Sequence, residues 1–137
     1  EREENDMLLR FERRDPLPEL QPVTAPQAIL AAQEAVRQVR VEQSVREYLV
    51  RVVRATREHA AVELGGSPRG TLALYRACQA RAAIRGRDFA LPDDVKALAP
   101  AALTHRLLIS AQTRLRGRRA EEVLSEIVDS VPVPVVK

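Results

Sequence analysis

The sequence contains a single cysteine, Cys78, and its only aromatic side chains are two tyrosines and two phenylalanines. One thiol can form neither an internal disulfide nor a thiolate cluster for zinc, which favours an intracellular setting. Since aromatic residues are scarce, a core must be built from leucine, valine, isoleucine and the abundant alanine. Alanine is the best helix former and is depleted from strands, so this composition favours closely packed helices.

Long apolar runs are also missing. No stretch approaches the roughly 20 residues that span a bilayer, and the N-terminus is charged and unlike a signal peptide. We therefore expect a soluble, cytoplasmic protein. The sequence begins at Glu1 without a methionine, inside an amphipathic pattern, so we expect a longer parent protein that continues upstream.

A phosphate-binding loop is the third absence. Its pattern, Gly-x-x-x-x-Gly-Lys-Ser/Thr, needs a glycine directly before the lysine, and neither of the two lysines, Lys96 and Lys137, has one. The sequence also lacks an acidic segment on a buried strand that could hold magnesium. A complete ATPase is therefore excluded within these residues.

The chain does contain enough apolar material for one domain. Its 137 residues fit a single core, and a hydrophobic content of 45% with 30% charged residues distinguishes it from a disordered chain. We find no internal repeat and no convincing pair of strands. The prediction is an all-α fold, a helical bundle of about four to six helices.

The net charge argues against a general nucleic-acid interface. The chain has 22 basic and 19 acidic residues, giving a formal charge of +3 at neutral pH. The two signs are interspersed, so the high isoelectric point reflects a small surplus and not a basic tail. Nucleic acid is therefore an unlikely partner.

Two helices are predicted near the N-terminus. An apolar stripe within residues 1–13 indicates the first, and the proline-bearing stretch 15–22 ends it as a linker or a wrapped loop. Thr24 and Gln27 have the spacing of a capping box, in which each side chain satisfies an exposed amide of the other residue. A second helix is therefore expected over about 25–38.

The next helix has the clearest pattern in the chain. Five residues of the segment 43–58 fall on one face of a helix, with charged residues opposite: Val45, Tyr48, Leu49, Val52 and Thr56. This arrangement is typical of a half-buried helix.

Glycine and proline mark the remaining helix boundaries. Gly65 and Gly66 interrupt the pattern, after which Ser67 is a candidate N-cap and Pro68 a candidate first helical residue. The alanine-rich helix that follows is expected to end at Gly86. Further helices are predicted to begin at Pro92 and to cover 120–130.

The residues from Gly65 to Gly70 form the most informative motif. Arg69 is placed in the first turn of a helix, where the dipole disfavours a cation. Free amides at a helix N-terminus bind anions, and the guanidinium fork of arginine matches a phosphate, which would remove the penalty. An arginine that simply points into water is the alternative that spacing alone leaves open.

These residues, in their order and spacing, resemble the C-terminal helical lid of MoxR-family AAA+ ATPases. The resemblance covers most of residues 20–110. It is carried by Arg54-Ala55-Thr56-Arg57, Gly65-Gly66-Ser67-Pro68-Arg69, Ala82-Ala83-Ile84-Arg85-Gly86-Arg87-Asp88-Phe89, Pro92-Asp93-Asp94-Val95-Lys96 and His105-Arg106-Leu107. One departure is Leu91, where the family often has a hydroxyl residue as helix cap.

The resemblance implies a domain division and a site. Residues 1–24 would be an N-terminal helix and linker to an absent ATPase core, and 25–137 the AAA+ lid. Arg69 would be the sensor 2 residue, the catalytic contribution of the lid, which reaches the β- and γ-phosphates of ATP. Ser67 and Pro68 would share the nucleotide site with Arg69.

The resemblance also implies cofactors and partners. ATP and magnesium (Mg2+) would bind the full-length protein, and the fragment alone would retain neither. Its partners would be its own AAA+ core, neighbouring subunits of a hexameric ring, and proteins with von Willebrand factor A domains that the ring remodels as a chaperone does.

Other candidate residues have simpler structural explanations. Asp93 and Asp94 suit the first turn of a helix, where the dipole favours acids. His59 and His105 lack a second ligand at helical spacing, so we predict no metal site. Cys78 is expected to be a small core residue. The basic cluster Arg114, Arg116, Arg118 and Arg119 could bind a partner, although a solvated loop is the default.

Two other functions remain open at the level of sequence. A helical nucleic-acid-binding domain would show affinity for duplex DNA that falls steeply with added salt. A passive adaptor that only docks a partner would be favoured if no phosphate-binding loop lay upstream of Glu1. The lid assignment requires such a loop about two hundred residues earlier.

Overall fold

The computed structural model describes residues 1–12, 15 and 17–134. Within these ranges most residues lie in helices, which confirms the predicted all-α class. The helices are α1 Arg2–Phe11, α2 Pro26–Arg37, α3 Gln43–Glu58, α4 Pro68–Ile84, α5 Pro92–Leu103, α6 Ala111–Leu115 and α7 Ala120–Ser130. No helix in the described ranges is both long enough and apolar enough to cross a membrane.

The number of helices is slightly larger than predicted. Seven are present in the described residues, against the four to six expected. The helix that the sequence did not reveal is α6, which has only five residues and is too short to display a periodic apolar face. It is instead defined by its cap, because the Ser110 hydroxyl accepts a hydrogen bond from the Thr113 amide at 3.3 Å.

The chain divides into two compact units, Glu1–Ala32 and Gln33–Lys137, with the division inside α2. In the first unit, α1 carries no buried residue. The Asp15 carboxylate accepts a hydrogen bond from the Leu17 amide at 2.9 Å, which starts a single 3-10 turn at Leu17–Glu19. The boundary predicted between residues 24 and 25 stays a prediction.

The start of α2 corrects the predicted capping box. The helix begins at Pro26, one residue later than a box with Thr24 as N-cap requires. Proline is favoured at the first helical position, because its φ is already helical and its missing amide hydrogen is not needed there. The boundary is therefore set by Pro26, and the hydroxyl at Thr24 lies outside the capping position.

The core of the second unit is formed by α3, α4, α5 and α7. The predicted apolar face of α3 is buried in full, Thr56 included, and Val53 joins it. Among the fully buried residues that α3 meets are Leu74 and Cys78 of α4 and Leu103 of α5. A second, smaller cluster is formed by four buried residues, Ala61, Ile109, Val123 and Ile127.

A short antiparallel sheet corrects the expectation that no strands pair. Strand β1, Val62–Leu64, lies beside β2, Leu108–Ile109, and Val62 is the partner of Ile109. Strands of three and two residues are too short to show an alternating pattern, and they lie far apart in sequence. The sheet connects the chain after α3 to the chain after α5.

Glycine ends α4 as predicted. Gly86 has φ +70°, a left-handed conformation that glycine adopts without steric cost. The amide of Arg87 returns to the Ala82 carbonyl at 2.9 Å and the amide of Gly86 to the Ala83 carbonyl at 2.9 Å. These two bonds satisfy carbonyl groups that the end of the helix would otherwise leave free.

Candidate functional site

The motif between β1 and α4 forms a tight turn on the surface. Ser67 has an extended backbone, with φ −80° and ψ 168°, and Pro68 is the first helical residue. Both positions agree with the prediction. The Ser67 side chain makes no capping hydrogen bond, and the first amide to enter the helical ladder is that of Thr71, which donates to the Ser67 carbonyl at 3.2 Å.

Two consecutive residues at the end of α3 hold this turn. The buried Thr56 hydroxyl donates to the Val53 carbonyl at 2.6 Å and accepts from the Gly66 amide at 2.8 Å. The Arg57 Nε–H donates to the Gly66 carbonyl at 2.6 Å. Both polar groups of the Gly66 backbone are therefore fixed by α3.

The paired glycines are needed for space. A Cβ at Gly65 would lie 2.6 Å from the backbone nitrogen of Arg57, a distance that no real side chain tolerates. At Gly66 a Cβ would meet the Val53 side chain at 3.0 Å. The two glycines therefore allow a close approach of the backbone to the last turn of α3.

Arg69 is exposed at the start of α4. Within the described ranges, its side chain makes no hydrogen bond or ion pair, although acidic residues are common in the chain. The amides of Arg69 and Gly70 precede the first helical hydrogen bond, so they lie at the positive end of the helix dipole. An unpaired guanidinium beside free amides is an arrangement that can bind an anion.

A further arginine lies beside the turn. Arg106 is half-buried, and its Nε–H donates to the Ala102 carbonyl at 3.0 Å. Its aliphatic stem passes close to Gly70, where a Cβ would meet the Arg106 Cδ at 3.5 Å. Arg57 and Arg106 thus flank the start of α4, each oriented by a bond from Nε to a backbone carbonyl.

Thr56, Arg57 and Arg106 belong to the segments that carry the family resemblance, but the sequence predicts no contact for them. Thr56 was placed on the buried face of α3, which accounts for its burial and not for its bond to Gly66. No local signal reveals such bonds, because the partners lie nine or ten residues apart across a strand.

Asp94 has a structural role, as predicted, but a larger one than a dipole effect. Its carboxylate is buried and accepts two hydrogen bonds from Arg87, at 2.8 and 2.9 Å, and one from Arg81 at 3.1 Å. It also accepts the Leu91 amide at 2.8 Å, which is the half of a capping box that needs no hydroxyl at residue 91. Burial would raise the pKa of Asp94, but these bonds outweigh it and hold the pKa below its usual value. Asp93 is exposed.

The cysteine and the histidines offer little chemistry. Cys78 is fully buried, as predicted for a core residue, and burial followed by the nearby Asp94 charge raises the pKa of its thiol to about 12. The His59 Nδ1 accepts a hydrogen bond from the Ala61 amide at 3.2 Å, which shapes the turn into β1. In the described part of the chain, no three His, Cys, Asp or Glu residues are grouped to hold a metal.

The basic cluster after β2 is partly neutralised. Arg118 pairs with Glu126 at 2.5 Å, and Arg119 pairs with Glu121 at 3.5 Å. The two glutamates lie on α7. Arg114 and Arg116 are exposed on or after α6. Because two of the four charges face acids, the cluster is not a uniform patch for a nucleic-acid backbone.

Comparison with known proteins gives a consistent family. The family model of the AAA lid domain matches residues 54–127. The chain is 41% identical over 133 residues to the uncharacterized protein YeaC of Bacillus subtilis, covering 97% of this chain and 42% of YeaC. It is 32% identical over 131 residues to chaperone MoxR1 of Mycobacterium tuberculosis, covering 83% of this chain and 35% of that protein.

A solved structure has the same fold. The crystal structure of a protein from Cytophaga hutchinsonii, assigned as an ATPase, superposes with a TM-score of 0.70 at 24% identity, over 74% of this chain and 34% of that one. At this identity the likeness establishes the fold alone. The chain spans less than half the length of the relatives it matches.

Proposed function

This chain belongs to the AAA lid domain family, in its MoxR type, and we propose that Arg69 is its sensor 2 residue, which contacts ATP bound on a separate core. The observation that carries this proposal is the unpaired, exposed Arg69 in the first turn of α4. A cation there opposes the helix dipole, and a bound phosphate removes the opposition. Ser67 and Pro68 directly precede Arg69 in this turn, and we propose that they share the nucleotide site with it.

In this proposal the chain supplies one charged group to a site that it does not contain. The core of a longer protein supplies the phosphate-binding loop, ATP and magnesium, and closure of the lid brings Arg69 to the β- and γ-phosphates. Hydrolysis removes the terminal phosphate and weakens the contact, so the orientation of the lid follows the state of the nucleotide.

The same proposal extends to the assembly. A lid that changes orientation with the nucleotide can transmit that change to the neighbouring subunit of a hexameric ring. We place this ring in the cytoplasm, where ATP is abundant, and propose that it remodels partner proteins as a chaperone does, including partners with von Willebrand factor A domains. The likeness to chaperone MoxR1 supports this extension.

The test has two stages. The coding sequence upstream of Glu1 is read for a Gly-x-x-x-x-Gly-Lys-Ser/Thr loop about two hundred residues earlier. In the full-length protein, Arg69→Ala is then compared with wild type for ATP affinity, ADP affinity and hydrolysis. A charge-assisted hydrogen bond contributes about 1.5–3 kcal/mol, so we expect ATP affinity to fall at least about tenfold, with a smaller loss for ADP.

The matched control is Arg85→Ala. Arg85 is an exposed arginine at the opposite end of α4, so this variant removes the same charge from the same helix without touching the turn. We expect it to bind and hydrolyse ATP as the wild type does. Equal ATP affinity and hydrolysis in Arg69→Ala and wild type would overturn the proposal, as would the absence of a phosphate-binding loop.

A further inference from the structure

The turn before α4 is bonded to α3 through both polar groups of one residue and packs closely against it. Gly66 is bonded through its amide to Thr56 and through its carbonyl to Arg57. Gly65 lies so close to the backbone of α3 that it has no room for a Cβ. Together these contacts fix the turn in position and orientation.

The fixed turn determines where Arg69 is presented. Only Ser67 and Pro68 separate Gly66 from Arg69, and the proline ring fixes φ at the first helical residue. Few backbone rotations therefore remain between the bonds to Gly66 and the guanidinium that carries the proposed function. A change in the backbone orientation at Gly66 therefore also changes the position of the Arg69 backbone.

Arg57 and Thr56 contribute differently to this arrangement. Thr56 is fully buried, and its hydroxyl also donates to the Val53 carbonyl of its own helix, so it belongs to the core. Arg57 is exposed, and in the described structure the one hydrogen bond of its side chain is from Nε to the Gly66 carbonyl. The Nε–H of arginine has a fixed direction in the guanidinium plane, which makes this bond an angular restraint.

We infer that Arg57 is a positioning residue for Arg69, setting the orientation in which the lid offers its guanidinium to the terminal phosphate of ATP. This inference rests on the proposed function of Arg69. Arg57 acts through the Gly66 carbonyl and does not itself contact the nucleotide. Its removal loosens the start of α4 and leaves the core unaltered.

The experiment uses Arg57→Gln and Arg57→Lys in the full-length protein. Glutamine is too short to reach the Gly66 carbonyl in the same way, whereas lysine retains a donor without the fixed direction. We expect Arg57→Gln to reduce the preference for ATP over ADP by about three- to tenfold, a smaller loss than that expected for Arg69→Ala, because Arg57 does not contact the nucleotide itself. Arg57→Lys should recover part of it.

The matched control is Arg51→Gln. Arg51 is an exposed arginine on the same helix and lies outside the turn, so we expect an unchanged nucleotide preference. Hydrogen exchange of the chain itself gives a readout that needs no nucleotide. The Gly66 amide should exchange faster in Arg57→Gln than in Arg51→Gln, while amides in the middle of α3 keep their protection.

A double-mutant comparison decides between positioning and independent binding. If Arg57 acts through Arg69, then Arg57→Gln has no further effect on nucleotide preference once Arg69 is alanine. Additive losses in the double variant, or an unchanged preference and unchanged Gly66 exchange in Arg57→Gln, would overturn this inference alone. No effect of Arg69→Ala would instead remove the proposed function on which it rests.

Discussion

The helices α4 and α5 begin alike in sequence and are completed in opposite ways. Each has proline as its first helical residue, Pro68 in α4 and Pro92 in α5. Near the start of α5, Asp94 is buried and bonded to two arginines and to the backbone. Near the start of α4, Arg69 is exposed and carries a positive charge, which the helix dipole disfavours there. Its side chain makes no hydrogen bond or ion pair in the described structure.

The two helix starts therefore differ in how their charges are satisfied. The start of α5 is stabilised within the protein, whereas the charge at the start of α4 has no partner in the described structure. At α5 the protein supplies an anion for the helix dipole and supplies cations for that anion, so the charges are satisfied internally. At α4 the backbone is held tightly while the charge is left unsatisfied. Departures from the local rules of stability are expected at functional or strained sites, and Arg69 is such a departure at the start of α4.

The largest effect is expected where the charges are satisfied. Asp94→Ala removes a buried carboxylate and leaves Arg81, Arg87 and the Leu91 amide without their shared partner. Loss of one side of a buried ion pair should lower the free energy of unfolding by about 3 kcal/mol, measured by urea denaturation.

The control for this variant is the neighbouring aspartate. Asp93 is exposed at the same helix start, so Asp93→Ala should change the free energy of unfolding by no more than about 0.5 kcal/mol. Equal losses in the two variants would mean that the bonds to Asp94 add nothing beyond the dipole, and the contrast between α4 and α5 would disappear.

A smaller effect is expected when the Asp94 charge is removed by acid. Its pKa is lowered in the folded protein, so the stabilisation is complete above the ordinary aspartate value of about 3.9 and is lost as the pH falls through it towards the folded pKa. The stability gap between wild type and Asp94→Asn should therefore be constant near neutral pH and narrow below about pH 4.

Thermal unfolding between pH 7 and pH 3 measures this gap. Other carboxylates titrate in both proteins, and the difference between the two curves removes their shared contribution. A gap that widened on acidification would require a raised pKa, in conflict with the bonds that Arg87 and Arg81 donate.

The same contrast explains what could be predicted from sequence. The bounds of α3 follow from apolar periodicity, and those of α4 from proline and glycine at its ends, because these signals lie within or next to the helix itself. Arg69 stood out for a similar reason, since its charge conflicts with its own position. Contacts that join distant segments gave no such signal.

Two features of the structure are contacts between distant segments of this kind. The pair β1 and β2 was missed because its strands are too short to show a pattern. The bonds from Thr56 and Arg57 to Gly66 depend on the path that β1 takes after α3, so they become visible only in three dimensions. The sequence shows that Gly65 and Gly66 interrupt the helical pattern, but not which helix they approach.

The smallest expected change in stability is at Arg69, and its sign is informative. Arg69→Glu places an anion at the start of α4, so it should raise the free energy of unfolding by about 0.5 kcal/mol at low salt. The free energy of unfolding of Arg69→Ala should lie between those of the wild type and Arg69→Glu. The differences among the three proteins should shrink in high salt, because the charges are exposed. Far-ultraviolet circular dichroism during thermal unfolding of the chain measures these shifts.

A gain in stability at Arg69, combined with loss of ATP preference in the full-length protein, would mean that the arginine is kept at a cost to the fold. The opposite result, a clear loss of stability in Arg69→Glu, would indicate a partner for the guanidinium within the lid and would make the start of α4 as self-contained as that of α5. The unsatisfied charge would then no longer support a nucleotide contact, because arginine would be stabilising the helix that carries it.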